Sequence, residues 1–375
     1  MARKFVSGWV CLFVLLLGAS LKVEAQTWSF TGNMGPQRAF HSATVLNNGE
    51  VLVAGGRNRI TYGLATAELF NPGTGTFTST GNLNTGRANF SATLLNTGKV
   101  LVAGGDEYVF MSTGTVHICL SSAELYDPVT GTFTPTGSMH AERCGYSAPG
   151  FTATLLENGQ VLIAGGSNPS SFVAAAELYD PSSGTFSLTG SLNTPRVDHA
   201  ATLLPNGEVL IAAGASSTSF LTSAELYNPA TGTFTLTGSL KTARAFFTAN
   251  LLGDGQVLAA GGLEGNSGPL LSSAELYNPS TGKWTSTGSM NNARWNHTAT
   301  LVNNGEVLIA GGGGALTIAE RYNSSSGTFK VTGSLNTGRT DHRAVLLTNG
   351  EALVTGGYDG NGGNIGYLSS AELFH

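Results

Sequence analysis

Four histidines occupy one slot of a recurring pattern. His41, His199, His297 and His342 each stand three residues after an arginine: Arg38, Arg196, Arg294 and Arg339. Imidazole nitrogen ligates Zn or Cu well, and three converging rings could hold such an ion. His297, His342 and His41 form the candidate set, because they become neighbours if the pattern closes on itself. Phe90 and Phe247 fill the same slot elsewhere. A slot that takes either ring favours packing or loop capping, so no metal and no cofactor are expected. Acidic residues outside the repeat are few: Asp106, Glu107, Glu142, Asp198, Glu264, Asp341 and Asp359. Glycoside chemistry would need two of them to converge, with Asp106, Glu107 and Asp359 as candidates. No G-x-S-x-G, P-loop or C-x-x-C pattern occurs. Cys119 and Cys144 are an even pair downstream of residue 26.

The elements that must position these residues repeat along the chain. Arg38, Arg87, Arg143, Arg196, Arg244, Arg294 and Arg339 open the units. Glu68, Glu124, Glu177, Glu225, Glu275, Glu320 and Glu372 follow in step. A residue present in every unit serves what every unit needs, so each Glu is expected to pair with an Arg or with backbone N–H groups at a junction. Tyr126, Tyr179, Tyr227, Tyr277 and Tyr322, with Phe70 and Phe374 in the same slot, are expected to pack in the core or between units.

Each unit reads as four short strands, a to d. In the first unit they are Ser42–Leu46, Val51–Ala54, Ala67–Phe70 and Thr76–Thr80. Asn48-Gly49 joins a to b, and Asn-Gly suits a type I′ turn. Gly55-Gly56 closes strand b, where a side chain would block a close backbone approach. Seven such units predict an all-β, seven-bladed propeller over residues 26–375. The chain stops after strand c of the last unit, at Phe374-His375. Gln26-Thr27-Trp28-Ser29-Phe30 matches strand d. The N-terminal strand is therefore expected to complete the last blade.

The paired glycines, the spaced aromatic on strand c or d and the period near 50 residues resemble the kelch family. The resemblance covers residues 26–375 and implies the propeller. It leaves function open, since kelch propellers include binding scaffolds, sugar isomerases and copper oxidases. Galactose-oxidase-like members bind copper through two tyrosines and two histidines, one pair being Tyr-His at the start of an inner strand. Here Phe40 precedes His41, and Asp198, Asn296 and Asp341 precede the other three histidines. The copper-ligand tyrosines of that family are thus missing from the matching positions.

Residues 1–25 read as a signal peptide: Arg3 and Lys4, an apolar stretch from Phe5 to Leu17, and Val23-Glu24-Ala25 as the cleavage site. A secreted or periplasmic location without membrane insertion is expected. The full chain carries a net charge of −5. Removing Arg3, Lys4, Lys22 and Glu24 takes three cations and one anion, and leaves −7. With no Lys/Arg cluster, nucleic acid is a poor partner.

The short a–b and c–d turns vary little, whereas the b–c loops do, and they share a face with the d–a connections. Function is expected there. Cys119, in the long segment Asp106 to Ser122, is expected to bridge Cys144 in the next d–a connection. The bridge would gather Tyr108, Phe110, Met111, His117 and Tyr146 on one rim. A monomeric binding module for a protein or glycan is the favoured reading, above catalysis. A carbohydrate-active enzyme, either an epimerase or a galactose-oxidase-like oxidoreductase, is the alternative.

Overall fold

The computed structural model describes residues 26–111, 114–145, 150–266, 268–360 and 366–375, and the expected leader lies outside them. The described residues are all-β, with seven four-stranded antiparallel sheets and one two-stranded hairpin. The first sheet runs Ser42–Val45, Val51–Ala54, Ala67–Asn71 and Thr76–Ser79, within a residue of the expected bounds. Each innermost strand touches its two neighbouring innermost strands, and that of the seventh sheet touches that of the first. The sheets are therefore blades around a closed channel.

Burial explains the radial arrangement. Strand b is fully buried in every blade and apolar except for Thr355 in blade seven, as in Val51–Ala54, so both of its faces need cover. Adjacent blades supply it. Between blades four and five, Leu210 and Ala212 meet Phe247, Val257 and Tyr277. Similar clusters fill the other junctions, including that between blades seven and one. The strand-c aromatics tie blades together as expected. The Tyr277 ring packs on Trp284 at 5.1 Å, while its hydroxyl hydrogen-bonds Thr237 Oγ1 of the preceding blade at 2.8 Å.

The paired glycines are needed because the next blade crosses directly over them. A Cβ on Gly55 would lie 2.7 Å from the Arg87 carbonyl oxygen, and φ there is +63°. The Gly56 N–H donates to that same carbonyl at 2.8 Å. Ala213 takes the first position of the pair in blade four, at φ 55°.

The arginine and glutamate series both turn inward within a blade. Arg38 donates to Gly55 O (2.8 Å), Thr66 O (3.0 Å) and Glu68 Oε2 (2.9 Å). Glu68 Oε1 accepts the Gly35 N–H at 2.7 Å. All seven pairs form, at 2.6–2.9 Å. Each pins a d–a crossover to strand c of its own blade and pairs the buried charges, although Nε of Arg38, Arg143 and Arg244 is left without a hydrogen-bond partner.

The last blade closes as expected. Trp28 pairs with Phe374, and Phe30 with Glu372, in antiparallel register. One segment differs from expectation. Asp106 to Ser122 is not a plain loop; Asp106–Met111 and Gly114–Cys119 pair as a hairpin. Its β-branched and aromatic residues suit paired strands better than a coil.

Candidate functional site at the channel mouth

Two residues after the repeat arginines, the chain enters the left-handed region. Phe40, Asn89, Asp198, Phe246, Asn296 and Asp341 have φ between 49° and 58°. Their backbones link round the axis. Phe40 N–H donates to Asp341 O, Asn89 N–H to Phe40 O, Phe246 N–H to Asp198 O and Asn296 N–H to Phe246 O, at 3.1–3.2 Å. In blade three, Gly150 takes this place and accepts from the Asp198 N–H at 3.1 Å. These residues form a collar immediately above the innermost strands. Asn and Asp adopt this backbone readily, whereas Phe40 and Phe246 hold it at a cost.

A second ring surrounds the collar. In six blades the residue after the small-residue pair bridges the residue after the repeat arginine: Arg57 with Ala39, Asp106 with Ala88, Ser167 with Cys144, Ala215 with Val197, Leu263 with Ala245 and Tyr358 with Thr340. The b–c and d–a connections therefore share one face, as expected. The frame repeats but its side chains do not. Over blades seven, one and two they are polar: Arg57 lies 3.9 Å above the Phe40 ring, and Tyr367 packs against Phe40 and hydrogen-bonds Arg57. Over blades three to five they are apolar, with Phe172, Phe220 and Phe246 around Val197, Ala215 and Ala245.

Carboxyl groups at the mouth are shifted by burial. Desolvation lifts Asp198 to about 7, and its Oδ1 has no hydrogen-bond partner. Desolvation also lifts Asp341 to about 6, opposed by Arg343, by Arg57 and by hydrogen bonds that include Asn296 at 2.7 Å. Asp106 is raised by burial as well, against hydrogen bonds from His117 (3.0 Å) and Asn89 (3.2 Å).

Part of the expected rim is in place. Tyr108 stacks on His117 at 4.6 Å and meets Tyr62 at 5.0 Å. Cys119 and Cys144 form the expected disulfide, with Cα atoms 5.2 Å apart. Cys119 sits directly opposite Asp106 in the hairpin register, so the bridge fastens this rim to blade three. The side chains of Phe110, Met111 and Tyr146 lie outside the described residues.

The histidine trio does not converge. His41, His199, His297 and His342 lie between blades, and each Nε2 meets a threonine hydroxyl at 2.8–3.0 Å: Thr355, Thr152, Thr248 and Thr298 respectively. Burial lowers all four; His199 and His297 fall to about 3. Among the described residues, one His/Cys/Asp/Glu group has donor atoms within 4.8 Å of one another, His117 with Cys119 and Cys144. Its sulfurs are bonded to each other.

The threonine partners expose a rule that sequence reasoning missed. At or next to the start of the innermost strand stand Thr152, Thr248 and Thr298 where the next blade carries His, and Ser42, Ser91 and Ala200 where it carries Phe90, Phe151 and Phe247. Blade seven breaks the rule with Arg343, and His41 turns instead to Thr355. Thr355 stands where the other six blades have Ala54, Ala103, Ala164, Ala212, Ala260 and Ala310. The paired departure of Arg343 and Thr355 from the repeat was visible in the sequence. On the opposite face, open grooves recur between successive turns, such as that of Pro205, Asn206, Asp254 and Pro279 and that of Asn96, Asn158, Asp180 and Pro181. They repeat with the blades and single out no position.

The family model for the Kelch motif matches residues 248–291, which run from the innermost strand of blade five past its outermost strand. No curated protein matches the chain. Among solved structures, a fungal alcohol oxidase of the AA5 family in complex with copper superposes with a TM-score of 0.74 at 18% identity, covering 93% of this chain and 76% of that one. At that identity the likeness shows the fold alone.

Proposed function

The chain is a kelch-repeat β-propeller, and we propose that it is an exported binding module that recognises carbohydrate at its channel mouth. The observation that carries this reading is the contrast between frame and filling. Crossovers, ion pairs and glycine pairs repeat round the ring, whereas the collar and second ring present Tyr, Phe, Arg and Asp in different combinations. Aromatic faces beside hydrogen-bonding groups suit a pyranose, which has apolar C–H faces and an equatorial rim of hydroxyls. A buried disulfide (Cys119 and Cys144, each 3% exposed) supports an oxidising compartment. No described helix is long and apolar enough to cross a membrane.

The oxidase likeness raises copper as a cofactor, and the inner-strand histidines and strand-c tyrosines do not fit it. The four inner-strand imidazoles lie between blades with Nε2 held by threonine. The five strand-c tyrosines are buried, with their hydroxyls on threonines of the preceding blades. A donor set of two Tyr and two His facing the mouth is not what they supply.

Glycan-array binding by the purified mature protein tests the reading, with Tyr108→Ala and Tyr367→Ala as variants. Binding to an oligosaccharide class that both variants weaken is expected. Retention of a protein ligand but no glycan, or glycan binding indifferent to both variants, would sink it. Acid–base catalysis on sugars is the second reading, favoured by Asp198 and Asp341 titrating at about 7 and about 6. It requires turnover of a bound oligosaccharide that Asp198→Asn and Asp341→Asn abolish.

A further inference from the structure

Arg343 is the residue that the architecture does not ask for. Its slot, the first of an innermost strand, holds Ser, Thr or Ala in five other blades and Thr152 in blade three. Threonine there satisfies the histidine of the next blade. With Arg343 in the slot, His41 would lose its partner, and Thr355 in an alanine position restores it at 2.9 Å. Two positions thus depart from the repeat together, and the net result is a guanidinium on the innermost strand of blade seven with the scaffold intact.

That guanidinium is poorly partnered. It donates from Nη1 to the His342 carbonyl at 3.1 Å. Asp341 acts on it through space, yet among the described residues neither Arg343 nor Arg57 lies within ion-pair distance of a carboxylate. Arg57 belongs to the same corner. It also acts on Asp341, it covers Phe40, and its Nε is buried without a hydrogen-bond partner. Phe40 follows Asp341 in the collar, its N–H donating to the Asp341 carbonyl. Arg343 and Arg57 thus both act on Asp341, beside the aromatic corner of Phe40 and Tyr367 where blades seven and one meet.

We propose that this corner is a carboxylate subsite, and that the glycan recognised at the mouth carries hexuronic acid. The inference rests on the carbohydrate reading and narrows it. A guanidinium pairs a carboxylate through two parallel N–H···O bonds, with a geometry that an ammonium cannot match. The uronate ring then lies against the Phe40 and Tyr367 side, with its carboxylate between Arg343 and Arg57. A sulfate ester offers the same charge with tetrahedral oxygens, so the two sources of negative charge are separable.

The double variant R343T/T355A returns blade seven to the pattern of blades three, five and six, with the introduced threonine hydroxyl placed to meet His41. It is expected to fold and melt like the parent. Calorimetric titration of both proteins uses four probes: a hexuronate oligosaccharide, a neutral oligosaccharide of equal length, a sulfated one and a glutamate-rich peptide. The parent is expected to prefer the hexuronate, and the double variant to lose at least roughly tenfold of that affinity. R343K, which keeps the charge and loses the fork, should recover only part. Neutral binding without hexuronate preference, sulfate preference, or a double variant that binds hexuronate like the parent overturns the subsite and leaves the carbohydrate reading standing. Peptide binding without any glycan binding overturns both.

Discussion

At the scale of single residues, the collar sets the energetics of the mouth. Asp198 is largely cut off from water and its buried Oδ1 has no hydrogen-bond partner, because Ala215 stands where Asp106 serves Asn89 in blade two. Its carboxyl is lifted to about 7, well above the ordinary value of an unfolded chain. Below about pH 4 both states hold the proton. Between there and 7 the native state keeps a proton that the unfolded chain has released, so stability falls as pH rises. Asn89 and Asn296 show that asparagine suits this backbone. Asp198→Asn should therefore raise stability on the order of 2 kcal/mol at pH 8 and change little near pH 4. Thermal melts at both pH values check this, and equal shifts would contradict it. Ala213 offers a second test. It holds φ 55° where the other blades have glycine, and Ala213→Gly should stabilise by about 1 kcal/mol. A lower melting temperature would mean that the methyl packs well enough to offset the strain.

At the scale of elements, legibility follows repetition. Arginines, glutamates and glycine pairs present in seven copies could be read as scaffold from sequence, and the strands fell within a residue of expectation. The destination of the histidines could not be read. Each reaches a threonine in the preceding blade, 44 to 49 residues back for His199, His297 and His342, and register between blades is set by packing, not by local pattern. The collar was hidden for the same reason, since its hydrogen bonds join residues one blade apart. The hairpin of blade two was hidden differently: its strands serve no blade, so no other copy revealed them. The His–Thr rule yields a prediction. His199 and His297 are neutral when buried and protonate at about 3, whereas the unfolded chain protonates near 6.5. Their contribution is whole above 6.5 and is lost as pH falls toward 3. The double change His199→Phe with Thr152→Ser copies the Phe90–Ser42 pair of other blades. It should leave stability at pH 7 within about 1 kcal/mol and move the acid unfolding midpoint down by roughly half a pH unit. Acid titration of circular dichroism reads it, and an unchanged midpoint would count against inter-blade burial of His199.

At the scale of the whole molecule, the ring has one seam, and its closure combines two distant segments of chain. Trp28 packs on Phe374 at 5.1 Å, its indole N–H donates to Gly333 O at 2.9 Å, and its carbonyl accepts from Asn336 at 3.1 Å. Met34 lies in the core between blades seven and one. Each other strand-c aromatic meets its strand-d partner within one continuous hairpin, whereas this pair joins residues near opposite ends of the sequence. Every blade buries its neighbour's faces, so losing the seam uncovers blade seven's strand c as an edge and weakens two junctions at once. Trp28→Ala should cost about 3–5 kcal/mol, the range for a large buried aromatic. Removal of residues 26–34 should do more, splitting the urea transition or lowering its slope, because blades near the seam can then open before the rest. Hydrogen exchange should show that opening first at Ala352–Thr355 and Ala371–Phe374, the strands next to the missing one. The outer strands of blades three and four, on the far side of the ring, should keep their protection. A truncated protein that unfolds in one transition at the parent midpoint would mean that the seam adds nothing and that the propeller is held by its blades alone.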